Sequence, residues 1–200
     1  MSNQKGKSSQ GNEGQETRVR IRDAAYHVLA TKGYEATTLK EIAKTAQAAP
    51  GLVHYYFGGK DQLLVEVLKS VGDRYTQTTQ HLMQHMPSEQ RTRLLLKQPF
   101  TRVIEEPEWY RLRYELFALG LHNELLAPGI QELLSEGRES IGQTVAAVLG
   151  PTTVEPSVIA SLLLACFDGL ALQKLMDPDV DLEATHAALL QMLLCLNSEK

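Results

Sequence analysis

Long apolar runs, cysteine and an excess of basic charge are all scarce or missing in this 200-residue chain, and each shortage removes a class of protein. The longest unbroken apolar stretch, Leu162 to Phe167, has six residues. A bilayer crossing needs about 20, so no membrane anchor is expected. Met1 to Glu16 holds one apolar residue where a secretory signal requires an apolar core of about 7–15, so no cleaved leader is expected either. Cys166 and Cys195 stand 29 positions apart in apolar surroundings and make no disulfide or metal framework, which fits a reducing, cytoplasmic setting. The 20 Lys and Arg are outnumbered by 24 Asp and Glu, a formal charge of −4 that argues, for the chain as a whole, against nucleic acid. Ser-His-Asp, P-loop and metallohydrolase patterns are absent, and no enzyme is expected. His81 and His85, four apart, could share a helical face, but no third ligand lies in reach, so neither a metal nor a cofactor is expected.

What is present is apolar periodicity, with 43% hydrophobic residues supplying a sizeable core. Residues 1–16 are Gly, Ser, Gln, Asn and charge, a composition that predicts a disordered arm. From Thr17, the positions Val19, Ile21, Ala24, Ala25, Val28 and Leu29 recur at helical spacing, and Lys32-Gly33 supplies a closing cation and glycine. Thr38-Leu39-Lys40-Glu41 has the form of a capping box, opening a second helix with Leu39, Ile42, Ala43 and Ala46 as its stripe. Ala49 to Phe57 predicts a third, with Pro50 in the first turn. Gly58-Gly59 ends it, and Leu63, Leu64, Val67, Leu68 and Val71 form the buried face of the next. Later prolines divide candidate helices at about 72–86, 88–97, 107–123, 128–149, 155–175 and 180–196. No segment alternates like a strand, so the fold class is all-α: a three-helix head over 17–70 and a larger helical body over 71–200. The charge divides there too. Residues 1–70 hold ten basic and seven acidic side chains, a net of +3, leaving −7 for the remainder.

Short helices joined by a turn of three or four residues are the geometry of helix-turn-helix DNA readers. Lys32-Gly33-Tyr34, Thr37-Thr38, Ile42-Ala43, Pro50-Gly51, Tyr56-Phe57 and Lys60 with Leu63 are spaced so that residues 18–68 resemble the DNA-binding domain of the TetR/AcrR family of transcriptional regulators. The resemblance implies a reading head containing Thr38, Lys40, Ala49, Pro50, Gly51, Leu52, His54, Tyr55 and Lys60. Thr38 would cap its helix and bond a phosphate, Lys40 would reach phosphate or guanine, and Pro50-Gly51 would let backbone approach the duplex. His54 and Tyr55 would face sugar-phosphate or base edges, and Lys60 would clamp an anion at a helix N-terminus. Tyr34, Tyr56 and Phe57 read as core. This chain departs from the family at three positions. Gln47 replaces a turn glycine, Ala49 removes a capping hydroxyl, and Leu52 replaces a polar contact, shifting recognition toward thymine methyls and DNA shape.

The segment Cys166 to Asp181 is similar to the C-terminal dimerisation region of one branch of that family. Val158, Leu162, Leu163, Cys166, Phe167 and Leu170 are therefore candidate homodimer contacts, the alternative being a monomer's buried core helix. Cys166, among aliphatic neighbours, reads as an inert thiol rather than a redox sensor. In the family the central helices enclose an effector pocket. Met83, Trp109, Tyr110, Arg113, Tyr114 and Phe117 are the candidates, with Trp109 and Phe117 near one face and Arg113 or Glu105 anchoring a polar group; the same aromatics could equally be plain core. The function implied is a homodimeric repressor on palindromic double-stranded DNA, released by a small molecule. The alternatives are an activator, and a helical ligand-binding or interaction protein without a DNA target.

Overall fold

The computed structural model describes residues 5–84 and 86–196; His85 lies outside the described residues, as does the side chain of Met83. Nine helices and no β-strand occur among them: α1 (Lys5–Ala36), α2 (Leu39–Thr45), α3 (Pro50–Phe57), α4 (Lys60–Gln84), α5 (Ser88–Glu105), α6 (Pro107–Gly120), α7 (Ala127–Leu149), α8 (Pro156–Met176) and α9 (Leu182–Leu194).

The first compact unit comprises the chain to Val71 together with Arg111–Ile130. Its centre is built from the periodic positions of α1 to α4: Ile21, Ala25, Leu29, Ile42, Ala43, Val53, Leu63, Leu64, Val67 and Leu68 are all at or below 1% exposed. The later segment completes it. Glu115 accepts from the Tyr34 N–H at 2.9 Å, and Gly129 lies so close to Val65 that an added Cβ would meet its methyl at 2.9 Å. The second unit takes Gly72–Tyr110 and the chain from Gln131 onward. There α5 packs against α8 and α9, with the Phe100 ring edge-on to Phe167 and to His186 at 5.8 and 6.1 Å. A cut at residue 70 therefore omits Arg111–Ile130 from the head, because the side chains that fill it come from both ends of a long insertion.

Several element boundaries differ from the sequence expectation. Residues 5–16 are the start of α1 rather than a disordered arm. Extending an established helix adds one hydrogen bond per residue without a new nucleus; the Thr17 hydroxyl donates to the Glu13 carbonyl at 2.8 Å, and Gly14 lies beneath the Tyr56 hydroxyl. Gly72 does not interrupt α4, and Pro99 sits inside α5 instead of ending it. A helical glycine costs only about 1 kcal/mol, and tertiary contacts hold the proline: its carbonyl accepts from the Tyr110 hydroxyl at 3.2 Å. The absence of a long apolar run is also misleading for α8, whose 21 residues are long and apolar enough to span a bilayer by length and composition. Polar breaks at Ser161 and Asp168 hide this from a count of unbroken residues.

The α2–α3 turn shows how sharply local chemistry can act. Ala48 N–H reaches the Ala43 carbonyl at 2.9 Å and Gln47 N–H the Lys44 carbonyl at 3.1 Å, the paired bonds of a Schellman ending. The motif needs a left-handed residue, and Gln47 has φ +52°, the one non-glycine with positive φ among the described residues. A Cβ in that region costs about 1–2 kcal/mol. Gln47→Gly is thus expected to stabilise the protein by roughly 1 kcal/mol and raise Tm by about 2–4 °C; a lower Tm in a thermal melt would show that the glutamine side chain contributes more than its backbone strain removes.

Candidate nucleic-acid interface

Thr38 is the N-cap of α2, its hydroxyl accepting from Glu41 N–H at 3.2 Å. The other half of the expected capping box is replaced by an ion pair, since the Glu41 carboxylate reaches Lys32 instead. On α3, Val53 and Phe57 point into the core, whereas Gly51, His54 and Tyr55 are exposed at helical spacing along the opposite face. Tyr55 is 78% exposed, its ring edge-on to that of Tyr56 at 5.0 Å. Thr38, Lys40, Ala49 and Pro50 are exposed as well, and Leu52 is half-buried.

The start of α3 is open in two ways. Pro50 occupies the first turn and Ala49 makes no side-chain cap, so no N-cap side chain bonds the first backbone donors. A Cβ built on Gly51 would meet nothing within 4 Å. Glycine is therefore not required there by internal packing or by its φ. Lys44 and Thr45, not singled out from the sequence, are exposed at the end of α2; the i, i+4 relation of Lys44 to Lys40 is the signal that places both on one face.

Lys60 departs from its expected role. Its ammonium donates to the Tyr34 carbonyl at 2.9 Å and the Thr37 carbonyl at 3.1 Å, and lies 4.0 Å from the centroid of the Tyr34 ring. It closes the end of α1 onto the start of α4 and is an internal clasp rather than an anion clamp. Tyr34 is tied down at its other end by donating to the Asp61 carboxylate; burial, that hydrogen bond and the Asp61 and Glu35 charges push its phenol well above the usual range, so it stays protonated. Lys60→Met is accordingly expected to cost about 1–3 kcal/mol in chemical denaturation and to leave the salt dependence of DNA binding unchanged. A lower salt slope at wild-type stability would restore the phosphate role.

The expected effector residues fall in both units. Trp109 and Tyr110 are buried in the second; Arg113, Tyr114 and Phe117 belong to the first, where the Arg113 guanidinium lies 4.6 Å from the Phe117 centroid. Glu105 is exposed at the end of α5 and anchors nothing inside. The arginine missed from the sequence is Arg102. It is 5% exposed, stacked 3.8 Å from the Trp109 centroid and 4.2 Å from that of Tyr75, with Nε donating to Glu106 at 3.1 Å. Its i, i+4 acidic partner was visible in the sequence, but resembled an ordinary solvated pair.

The candidate dimer residues separate into two faces of α8. Leu163 and Phe167 are 2% and 5% exposed, packed in the core of their own unit, and so are not interface contacts. Val158 and Leu162 are exposed, Cys166 and Leu170 half-buried. Ala165, Leu172 and Met176 continue the exposed stripe, the successive steps from Val158 being four, three, seven and four residues, so all five lie near one face of the helix. On α9, Met192 and Leu194 are exposed too.

Residues 21–67 match the family model described as bacterial regulatory proteins, tetR family, and residues 88–194 match that of the BetI-type transcriptional repressor C-terminal domain. The chain is 47% identical over 49 residues to the HTH-type transcriptional regulator BetI of Rhizobium meliloti (strain 1021), a match covering 24% of each protein. It is 26% identical over 170 residues, 80% of each protein, to the HTH-type transcriptional regulator PksA of Bacillus subtilis (strain 168). Its fold is similar to the transcriptional regulator FadR from Bacillus subtilis in complex with stearoyl-CoA, with a TM-score of 0.68 at 19% identity over 88% of this chain and 97% of that one.

Proposed function

The chain belongs to the TetR family of bacterial transcriptional regulators, and from that premise we propose that it is a cytoplasmic repressor that binds a palindromic operator as a homodimer and is released by a small-molecule effector. The observation that carries the reading is the outward face of α2 and α3, on which Thr38, Lys40, Lys44, Gly51, His54 and Tyr55 are exposed together while the opposite face holds the head's core. Lysines and the threonine hydroxyl suit phosphates, the open α3 start suits close backbone approach, and Tyr55 and His54 suit base edges. Leu52 and Ala49 flank them as apolar surface for thymine methyls.

The exposed stripe on α8 and the exposed apolar positions of α9 support self-association: two helices from each subunit form a four-helix interface with twofold symmetry. Two heads then meet half-sites a helical turn or a multiple apart. An effector acts by favouring a conformer with misaligned heads, a coupling of about 1–3 kcal/mol in typical cases. The stearoyl-CoA complex of the similar FadR protein supports a small-molecule ligand for the body.

Selection of genomic fragments by the purified protein, followed by binding at rising salt, tests the reading. Enrichment of an inverted repeat with steeply salt-dependent affinity is the expected result. Failure to enrich any sequence, or affinity indifferent to salt and sequence, would overturn it.

A further inference from the structure

We infer that the edge of the Arg102 guanidinium is an anchor for the carboxylate of an effector with an apolar body, an inference that rests on the reading of the protein as ligand-responsive. Arg102 is held in the last turn of α5 with its guanidinium against two rings, 3.8 Å from the Trp109 centroid and 4.2 Å from that of Tyr75. The guanidinium fork offers several N–H donors in one plane, and a hydrogen-bonding partner meets them in that plane. Nε is taken by Glu106, but Nη2 is sealed from solvent and meets no acceptor among the described residues.

A buried cation in this state is under-compensated. Removing a charge from water costs several kcal/mol unless good geometry and further hydrogen bonds repay it. The carboxylate paired with it among the described residues, on Glu106, is 48% exposed, so its pull is screened by water. Burial draws the Arg102 pKa down against the opposing pull of Glu106, yet a guanidinium stays ionised. An entering carboxylate supplies what is missing, a second negative charge and an in-plane acceptor, in the planar fork geometry that arginine prefers. A cation would be repelled by Arg102 and would find the ring faces already occupied; a neutral group could accept a hydrogen bond but leave the charge uncompensated. The ligand's remainder is apolar because the surroundings of the guanidinium are aromatic: the Trp109 and Tyr75 rings lie against it, and Tyr110 meets Trp109 edge-on at 4.9 Å. Since Nη2 is sealed, a ligand reaches it only by displacing a neighbouring side chain, so occupancy is linked to a change of conformation.

Trp109 is the single tryptophan, and its ring contacts the guanidinium, so its fluorescence reports events there. The full-length protein is titrated with octanoate, octan-1-ol and octyltrimethylammonium while Trp109 emission is followed, in parallel with release of an enriched DNA fragment. Octanoate is expected to give a saturable change at concentrations about tenfold lower than octanol, with the cation weakest. Arg102→Gln should abolish the preference for octanoate over octanol. Glu106→Gln, at a half-exposed position, keeps the test decisive if the arginine variant does not fold: it removes the competing negative charge and should tighten octanoate severalfold. Equal binding of octanoate and octanol, preference for the cation, or no emission change with octanoate would overturn the assignment. An octanoate response through Arg102 without DNA release leaves the site intact and sinks ligand-controlled repression, whereas release by a neutral or cationic compound with Arg102 silent does the reverse.

Discussion

Alanine at Tyr55 and Lys40 is expected to remove most of the operator affinity while leaving the protein as stable as before. Tyr55 is 78% exposed and Lys40 lies at the surface, so neither supports the fold, and surface substitutions of this kind stay within about 0.5 kcal/mol. In a twofold complex every contact is made twice. A base contact worth about 1–3 kcal/mol therefore lowers affinity between about thirty- and twenty-thousand-fold when Tyr55 is truncated, and relaxes sequence preference as it does so. Lys40→Ala acts differently, weakening all duplexes alike and reducing the salt slope by about one per head. Anisotropy titrations of operator and scrambled duplexes over a salt series separate the two. Unchanged affinity, or a loss that tracks a falling Tm, would remove α3 from the DNA-reading face.

The second large effect is predicted for adjacent residues of α8 with opposite outcomes. Leu162 is 62% exposed, so Leu162→Glu leaves the subunit folded while placing a carboxylate, twice over, in the proposed interface. Sedimentation should show the 22.2 kDa monomer, and operator affinity should fall by orders of magnitude because one head alone holds one half-site. Leu163, one position on, is 2% exposed, and Leu163→Ala is expected to destabilise the subunit by about 2–5 kcal/mol. If Leu162→Glu stays dimeric with wild-type affinity, association uses another surface.

The reading head was legible because its signals are local. Thr38 before Glu41, Gly33 and Gly58 at helix ends, Pro50 in a first turn and the left-handed demand at Gln47 all concern backbone groups within about four residues of the side chain that satisfies them. Lys60 illustrates the limit. At a helix N-terminus after a glycine break it had the appearance of an anion site, but its ammonium is satisfied by carbonyls 23 and 26 residues earlier in the chain. The same limit explains α8: Leu162, Leu163 and Phe167 were alike candidates for an interface or for a core, and only packing against α5 assigned Leu163 and Phe167 to the core and left Leu162 outside.

By itself, then, the sequence determined an all-helical chain with a small head, its turn chemistry and the outward residues of α3, because helix periodicity and capping depend on near neighbours. Tertiary structure alone decided that Arg111–Ile130 completes the head, that Pro99 stays within a helix, that Lys60 turns inward and that Arg102 is buried against two rings with an unmet donor. Those outcomes depend on which distant groups arrive at the same place, where burial and the need to satisfy each polar group outweigh local preference.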